Sequence, residues 1–339
     1  MVCGDLEPSK KNRAAPGIVD PESNRPRAVQ PEYINGDDLE ARLDFERLIP
    51  AMERVFLGSS DASPRVHQET GSGLFLMMPA WEPSAYVGTK LVTIRLENRA
   101  TGLDTIHGVY VLFSEESGQP LAILDGRVLT LRRTAATSAA ATKWLAREDA
   151  HSHLMIGAGA LAPYLIRATG EVRPVSRVGI WNRTPRNAAK LVEELASEGI
   201  QAEVVSDLQS ATEEADIIST ATQSKAALIM GANLKSGVHL DLVGSYTPDM
   251  VEADPTALAR ARVFVDTWEG AKSEAGDLIQ AVRSGAFDWD HVAGDLRALF
   301  RGEVSGRTSP EDITAFKSVG ASIEDLAAAA LAWESRGTP

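Results

Sequence analysis

Three cationic side chains in the first half of the chain could bind an organic anion. They are Arg65 in SPRVHQE, Lys90 in VGTKLVTI and Arg133 in LRRTAATSA. Lys90 interrupts a strongly apolar run, where a charged amine must be paired or face a site. Arg133 is expected to open a helix, where its charge opposes the helix dipole unless both attract an anion. The structural alternatives are a loop arginine, a lysine at a strand edge and an arginine paired with a nearby acid, so only convergence in the fold would make these residues a site.

A glycine turn predicts a nucleotide site in the second half of the chain. Residues 157–162 have the form GxGxxA and stand directly after the apolar run LMI and before a predicted helix. In that setting glycines permit a tight turn and a close approach of pyrophosphate, and the helix N-terminus faces the phosphates. The alternative is a glycine-rich turn that binds nothing, but the surrounding strand-helix-strand pattern favours a dinucleotide held at Gly157, Ala158, Gly159 and Ala160.

The end of the following strand indicates which dinucleotide fits. An acidic residue there would accept a hydrogen bond from the ribose 2′-hydroxyl of NAD, but the sequence offers Asn182, Arg183 and Thr184. Arg183 can form charge-assisted hydrogen bonds to a 2′-phosphate, and Thr184 can add a hydroxyl donor. The pattern therefore favours NADPH, with NADH as the second choice. The alternative is that Arg183 is a solvated surface side chain.

The elements that would position these residues fall into two domains of an α/β fold. Strand-like runs at 74–79, 86–95, 107–113 and 120–125 predict a mainly antiparallel sheet, followed by a helix over 132–149. From His151 onward, short apolar strands alternate with helices, which is typical of a doubly wound parallel sheet of the Rossmann type. We expect this Rossmann domain to span 151–312, between the two parts of an α+β substrate domain at 32–150 and 313–339.

The two ends of the chain give weaker signals. Residues 1–31 hold five prolines among polar neighbours and are predicted to form a disordered leader. A helical pattern begins at Asp37 and must turn or kink at Pro50. The last apolar helix, 322–333, is expected to pack on the first domain, because a lone amphipathic helix is not stable by itself.

Composition excludes several classes of protein. The 339 residues carry a formal charge of −13, which repels nucleic acid phosphate. No apolar run approaches the roughly 20 residues that span a bilayer, and the N-terminus lacks the apolar region of a secretory signal. The single cysteine, Cys3, cannot form an internal disulfide, so we expect a cytosolic protein.

Metal binding is not indicated either. His67, Glu69 and Asp241 lack the spacing of metal ligands. His67 follows Arg65 by two positions on an extended segment, which would place both side chains on one face. His67 is therefore expected either to line a substrate pocket or to be an exposed imidazole.

Six segments carry a resemblance to a known family. VGTKLV, LRRTAATSAAATKWLA, GAGALA, DLVGSYTPDMVEAD, SEAGDL and FKSVGASIEDLAAA occur in this order and together resemble the ornithine cyclodeaminase and mu-crystallin family. The resemblance covers about residues 36 to 333. It implies a homodimer, a Rossmann domain inserted into a substrate and dimerisation domain, and chemistry at a carbon that bears an amine or imine beside a carboxylate. It assigns Arg65, Lys90 and Arg133, with Thr134 beside them, to the substrate carboxylate, and it adds Ala221, Thr222, Val243, Ser245, Val319 and Gly320 to the cofactor site.

One turn departs from the cyclodeaminase pattern. Where those enzymes have Gly-Gly-Asp, this sequence has Gly244-Ser245-Tyr246, and a phenol with a pKa near 10 is a poor base at neutral pH. We therefore expect a ketimine reductase that transfers hydride from NADPH to C2 of Δ1-pyrroline-2-carboxylate or Δ1-piperideine-2-carboxylate, giving L-proline or L-pipecolate, with Lys90 relaying the proton. The alternatives are an NAD-dependent ornithine cyclodeaminase, an acyclic amino-acid dehydrogenase and a mu-crystallin type of binding protein.

Overall fold

The first sheet is mainly antiparallel. The computed structural model describes residues 30–336, so the predicted leader at 1–31 lies outside the described residues except for its last two positions. The strands of the first sheet are β1 (Glu32–Ile34), β2 (Asp61–Ala62), β3 (Val66–Thr70), β4 (Gly73–Glu82), β5 (Tyr86–Ile94), β6 (Ile106–Ser114) and β7 (Pro120–Asp125). Their order is β1-β7-β6-β5-β4-β2, with β3 also paired to β4. Only β1 and β7 are parallel, so the predicted antiparallel sheet is confirmed.

The second sheet is entirely parallel and confirms the predicted doubly wound α/β class. Its strands are β8 (Ser152–Ile156), β9 (Arg177–Trp181), β10 (Ala202–Val204), β11 (Ile217–Thr220), β12 (His239–Leu242), β13 (Ala261–Val265), β14 (Val292–Asp295) and β15 (Ile313–Lys317). Their order is β10-β9-β8-β11-β12-β15-β13-β14. Because β15 inserts between β12 and β13, this sheet extends to Lys317. The predicted domain boundary at 312 was therefore too early.

Helices surround and join the two sheets. They are α1 (Gly36–Arg42), α2 (Phe45–Leu57), α3 (Gly126–Leu145), α4 (Ala162–Val172), α5 (Pro185–Ser197), α6 (Leu208–Glu214), α7 (Pro255–Arg260), α8 (Trp268–Glu274), α9 (Gly276–Arg283), α10 (Leu296–Phe300) and α11 (Ser322–Glu334), with 3-10 turns at Leu96–Thr101, Gly231–Asn233 and Trp289–His291. As predicted, α11 packs on the first sheet and on α2 and α3. None of the helices within 30–336 has both the length and the apolar character needed to cross a bilayer.

Helix α3 begins earlier than the sequence predicts. Asp125 caps it by accepting a hydrogen bond from the N–H of Val128 over 2.8 Å. A Cβ at Gly126 would lie 2.6 Å from the carbonyl carbon of Gly108, so glycine allows the helix to start directly against β6. Arg133 consequently lies in the helix interior. The expectation that Arg133 opens a helix and opposes its dipole was wrong.

The break that the sequence predicts at Pro50 also lies elsewhere. The chain leaves α1 at Leu43, and Asp44 caps α2 by accepting from the N–H of Arg47 over 2.9 Å. Helix α2 then continues through Pro50. The cap at Asp44, rather than the proline, therefore sets the start of this helix.

Two helices bring distant parts of the chain to one place. Helix α3 contacts β6 of the first sheet as well as β12 and β15 of the second, and most of its buried residues are small, which permits close approach on both sides. Helix α11 follows β15 after a four-residue turn at 318–321 and also contacts α3. Residues of α3, of α11 and of the turn before α11 therefore meet where the two sheets face each other.

Candidate active site

The glycine turn after β8 fits a dinucleotide phosphate. Gly157 adopts a φ of +111°, and a Cβ there would lie 2.7 Å from the carbonyl oxygen of Ala221, so only glycine fits. A Cβ at Gly159 would meet nothing within 4 Å, which leaves open space beside the backbone. The N–H of Ala158 donates to Oδ1 of Asn182 over 3.1 Å. The two predicted cofactor segments are therefore in contact.

The residues after β9 leave room for a phosphate. Asn182 donates to the carbonyl of Thr184 over 3.0 Å, which fixes the turn that leads into α5. Arg183 and Thr184 are both exposed. No carboxylate occurs within 181–184, so the turn offers a guanidinium and a hydroxyl without an acid beside the ribose position.

A cavity of about 330 Å³ lies between the glycine turn and α3. From the predicted sets it is lined by Gly159, Ala160, Ala221, Thr222, Val243, Val319 and Gly320 together with Arg133 and Thr134, and its wall is completed by Thr130, Leu161, Gln223, Gly244, Tyr246 and Ser318. Ser245 is not part of the lining, because its hydroxyl donates to the carbonyl of Met250 over 3.0 Å. The open backbone at Gly159 and this cavity leave space for part of a dinucleotide, and Arg133 lies in the wall of the same cavity.

Lys90 and Arg133 converge on a single carboxylate. Strand β5 places Lys90 on the buried face of the first sheet, in register with Met78 and Tyr110. Its Nζ lies 2.8 Å from Oδ2 of Asp325 on α11, and Nε of Arg133 donates to Oδ1 of the same residue over 3.0 Å. Lys90 is only 4% exposed and Asp325 is fully buried. Two of the three predicted cations therefore meet, although Lys90 is not among the residues that line the cavity beside the glycine turn.

Arg65 lies on the other side of Gly320. Its Nη2 donates to the carbonyl oxygen of Gly320 over 2.5 Å, and its Nη1 pairs with Glu274 of α8 over 3.0 Å. It lines a second cavity, of about 350 Å³, together with the exposed His67. Arg65 is therefore not among the residues that line the cavity of Arg133. His67 is an exposed imidazole, the second of the two alternatives that the sequence left open.

Arg65, Lys90 and Arg133 all have acidic partners. For Arg133, pairing with an acid is the alternative that the sequence left open. Nη1 of Arg133 donates to Oε2 of Glu324 over 2.7 Å. Glu324 and Asp325 are adjacent in the chain but lie almost two hundred positions from Arg133. The pairing is thus made by the fold and not by the local sequence.

Lys90, Arg133, Glu324 and Asp325 form a buried cluster of charges. Burial and neighbouring charges shift the pKa values of its members in different directions. Burial lowers the pKa of Lys90 to about 8, although the charge of Asp325 opposes the shift. Burial raises the pKa of Glu324 to about 7, although the charge of Arg133 opposes that shift. For Asp325, burial would raise the pKa, but the charges of Lys90 and Arg133 outweigh it and hold the value below its ordinary range. The cluster therefore contains two groups that titrate near neutral pH.

Two further buried acids hold the loops of the cofactor cavity. Glu252 accepts hydrogen bonds from the N–H of Thr222 over 2.7 Å and from the N–H of Gly244 over 2.8 Å. Asp266 accepts from the N–H of Val319 over 2.7 Å and from that of Gly320 over 2.6 Å. Because several backbone donors share each carboxylate, these loops are fixed before any ligand binds.

Tyr246 stands at the rim of the cavity, at the position where the resemblance expects an aspartate. Its side chain is 39% exposed, and its hydroxyl accepts a hydrogen bond from Nε2 of Gln223 over 3.2 Å. Both side chains are uncharged and both line the cavity. This part of the rim thus offers no counter-ion for a substrate ammonium.

Sequence reasoning does not select Glu324 or Asp325. Acids in the first turn of a helix are usually explained by the helix dipole, and these residues occupy such positions in α11. The available signal is that both stand inside the apolar run FKSVGASIEDLAAAALAW, where a buried carboxylate needs a cationic partner. Among residues 30–336, no group of three or more histidine, cysteine or acidic side chains is arranged to hold a metal ion.

One family model and two known proteins match most of the length of this chain. A model of the ornithine cyclodeaminase/mu-crystallin family matches residues 38–337. Protein SAR DEFICIENT 4 of Arabidopsis thaliana is 44% identical over 320 residues, covering 91% of this chain and 98% of that protein. A Δ1-pyrroline-2-carboxylate reductase of Paracoccus denitrificans is 35% identical over 303 residues, covering 88% of this chain and 95% of the reductase.

Solved structures resemble the whole described fold. That of Thermococcus litoralis Δ1-pyrroline-2-carboxylate reductase, in complex with NADH and L-proline, matches with a TM-score of 0.85 at 33% identity and covers 89% of this chain and 96% of that chain. An archaeal alanine dehydrogenase dimer with bound NAD matches with a TM-score of 0.84 at 29% identity and covers 90% and 95% of the two chains.

Proposed function

The chain belongs to the ornithine cyclodeaminase/mu-crystallin family, and from this premise we propose that it is an imine-reducing oxidoreductase that converts Δ1-pyrroline-2-carboxylate to L-proline, and Δ1-piperideine-2-carboxylate to L-pipecolate. The observation that carries the proposal is the convergence of Lys90 and Arg133 on Asp325, beside the cavity that the glycine turn lines. The relatives from Paracoccus denitrificans and Thermococcus litoralis, both named as reductases of the first imine, support this substrate class.

In the proposed reaction Arg133 binds the substrate and Lys90 transfers the proton. When bound, a reduced nicotinamide supplies hydride to C2 of the imine. Arg133, which reaches the cavity wall, holds the substrate carboxylate and so fixes the ring face. Lys90 holds the proton that the nitrogen takes up, which balances the reduction of C=N to CH–NH. Since the Lys90 amine lies beneath the cavity surface, the ion pair between Lys90 and Asp325 must open before Lys90 can deliver its proton to the substrate. Arg65 adds positive charge from beyond Gly320.

NADPH is the cofactor that we propose, with NADH as the second choice. The support for it is the exposed Arg183 and Thr184 after β9 and the lack of a carboxylate within 181–184. The solved relatives were captured with NADH or NAD, which supports NADH as the second choice. Steady-state comparison of the two reduced cofactors decides this point.

A second copy of the chain is the partner that we propose. The outer face of the first sheet presents an apolar row whose members, Met77, Leu91 and Val109, lie side by side in register and are only half-buried. The archaeal relative is described as a dimer. Light scattering after gel filtration should give twice the chain mass of 36.3 kDa, whereas a monomer would contradict the proposal. A cytosolic setting is proposed with it, because one cysteine cannot form an internal disulfide.

A substrate panel tests the proposed reaction. Purified protein is mixed with NADPH or NADH and with each cyclic imine or with pyruvate plus ammonia or methylamine. Ornithine is tested separately with NAD⁺, because a cyclodeaminase must first oxidise it. The proposal predicts loss of reduced nicotinamide absorbance with the cyclic imines. Oxidation only with pyruvate and an amine would identify the acyclic dehydrogenase, and ammonia release from ornithine would identify the cyclodeaminase. Cofactor binding without any turnover would favour a binding protein.

A further inference from the structure

Glu324 already accepts one of the hydrogen bonds that Arg133 could donate to a substrate carboxylate. Arg133 donates from Nη1 to Glu324 and from Nε to Asp325, so within residues 30–336 only its Nη2 carries no hydrogen bond. Arg133 lines the cavity beside the cofactor turn, whereas Glu324 lies behind it and is fully buried. A carboxylate that binds Arg133 from the cavity therefore shares the guanidinium with a carboxylate that the protein already supplies.

The charges of the cluster are balanced before any substrate arrives. Lys90 and Arg133 contribute two positive charges, and Glu324 and Asp325 contribute two negative charges. An incoming carboxylate adds one more negative charge next to groups that are almost completely removed from water. An uncompensated charge in such a place is strongly unfavourable. Binding is therefore expected to bring a compensating proton with it.

We propose that Glu324 takes up one proton from solvent when a carboxylate substrate binds, and that this protonation releases Nη1 of Arg133 to the substrate. Glu324 is in this account a positioning residue that acts through Arg133. The proposal rests on the proposed function, because it concerns the carboxylate of the same substrate. It identifies Glu324 as the group whose protonation offsets the negative charge of the substrate carboxylate.

The surroundings of Glu324 favour it over Asp325 as the proton acceptor. Arg133 faces it from α3, Asp266 acts on it from the end of β13, and Asp325 adjoins it on α11. The two acids add to the effect of burial and only Arg133 opposes them, so the pKa of Glu324 is raised to about 7. Asp325 instead has Lys90, Arg133 and the more distant Arg65 to keep it ionised. A new anion at Arg133 would raise the pKa of Glu324 further.

Glu324 also has a structural contact, which determines the choice of variant. Its Oε1 accepts a hydrogen bond from the N–H of Ala321 over 3.2 Å at the start of α11. Glu324→Gln keeps an oxygen for this contact and removes the titrating group. Asp241→Asn is the matched control, because Asp241 is also a fully buried acid whose pKa burial raises, to about 6, but its Oδ2 accepts from Ser219 and not from Arg133.

The experiment measures protons taken up on binding. Pyrrole-2-carboxylate, a planar ring acid without an imine to reduce, is titrated by calorimetry at pH 7.5 into protein saturated with NADPH, in buffers of different ionisation enthalpy. A group of pKa about 7 is roughly three quarters ionised at this pH, so the wild-type protein and Asp241→Asn should each take up most of a proton. Glu324→Gln should take up about a quarter of a proton or less, the part that Lys90 can still accept.

The pH dependence of affinity gives an independent readout. Because the complex binds more protons than the free protein, wild-type affinity for pyrrole-2-carboxylate should fall by up to about tenfold per pH unit above pH 7, and Glu324→Gln should lose most of this slope. Infrared difference spectra of the wild-type protein should show a new protonated carboxyl band on binding, which keeps the test independent of the folding of any variant.

The outcomes separate this inference from the proposed function. If pyrrole-2-carboxylate binds to Glu324→Gln with the proton uptake and slope of the wild-type protein, or if no protonated carboxyl band appears, the inference is overturned while the proposed function stands. If the wild-type protein binds NADPH but no carboxylate, both are overturned.

Discussion

Nζ of Lys90 and Oδ2 of Asp325 lie 2.8 Å apart although the two residues are 235 positions apart in the chain. The contact joins the central strand region of the first sheet to the helix that follows the last strand of the second sheet. Both groups are buried. Asp325 keeps Arg133 as a partner when Lys90 is removed, whereas removal of Asp325 leaves the amine of Lys90 without its counter-ion, which costs about 3–5 kcal/mol. The pair therefore ties the C-terminal helix α11 to the first sheet at the place where Arg133 also contacts Asp325.

Replacement of Lys90 by methionine tests its role in proton transfer. Lys90→Met keeps the apolar stem and removes the amine, so turnover of the cyclic imine should fall by at least about 100-fold, while NADPH binding, measured by fluorescence titration, stays near that of the wild-type protein. Lys143→Met is a suitable control, because Lys143 is an exposed lysine paired with Glu53. Joint loss of cofactor binding and turnover in Lys90→Met would indicate a structural role instead.

The decrease of kcat/KM at alkaline pH, the alkaline limb of the pH profile, should depend on the same amine of Lys90. Burial lowers the pKa of Lys90 to about 8 while Asp325 opposes that shift. Because the protonated amine is the active form, loss of its proton should add about a tenfold fall of kcat/KM per pH unit above that value, beyond the slope that Glu324 gives from about pH 7. Asp325→Asn removes the opposing charge, so the limb should move to lower pH. If folded Asp325→Asn that binds NADPH keeps the limb of the wild-type protein, another group controls it.

Gly320 must remain a glycine for a reason beyond its backbone. Its φ is +84°, and a Cβ there would lie 2.6 Å from Nη1 of Arg133. Gly320→Ala should therefore raise the KM for the imine at least about tenfold, since a displaced charge-assisted contact is worth about 1.5–3 kcal/mol. Gly302→Ala places the same side chain at a φ of +69° with nothing within 4 Å. Both variants should lose similar stability on heating, and an equal KM in the two would refute the contact argument.

Arg183 should set the preference between the two dinucleotides. Arg183→Ser removes a guanidinium from the turn after β9, so the KM for NADPH should rise about tenfold or more while that for NADH changes little. Arg177→Ser alters an exposed arginine at the opposite end of the same strand and should leave both constants unchanged. If the ratio of the two KM values is the same in Arg183→Ser as in the wild-type protein, Arg183 does not bind the 2′-phosphate.

The sequence predicts the two sheets because their strands are separated differently. Strand-like runs punctuated by glycines mark β4 to β7, and short apolar strands separated by helices mark the parallel sheet. The domain boundary at 312 fails because β15 returns to the middle of a sheet whose other strands precede it, a pairing that no local pattern reveals. The start of α3 is missed because its cap, Asp125, also ends a strand.

The site is predictable only in part for a related reason. Gly157 and Gly159 are recognisable because backbone conformation at glycine is a local property. The partners of Arg133 come from a helix at the far end of the chain, so their identity depends on how α11 folds back on α3. Arg65 shows the same limit, since its contact with Glu274 bridges the two domains.

A crystal structure of the protein with NADPH and L-proline would decide whether Arg133 and Lys90 form the substrate site. The proline carboxylate should lie within hydrogen-bond distance, about 3 Å, of Arg133, with C2 of the ring facing the nicotinamide and its nitrogen toward Lys90. A proline carboxylate bound only in the cavity of Arg65 and His67, away from both Arg133 and the nicotinamide, would contradict this assignment.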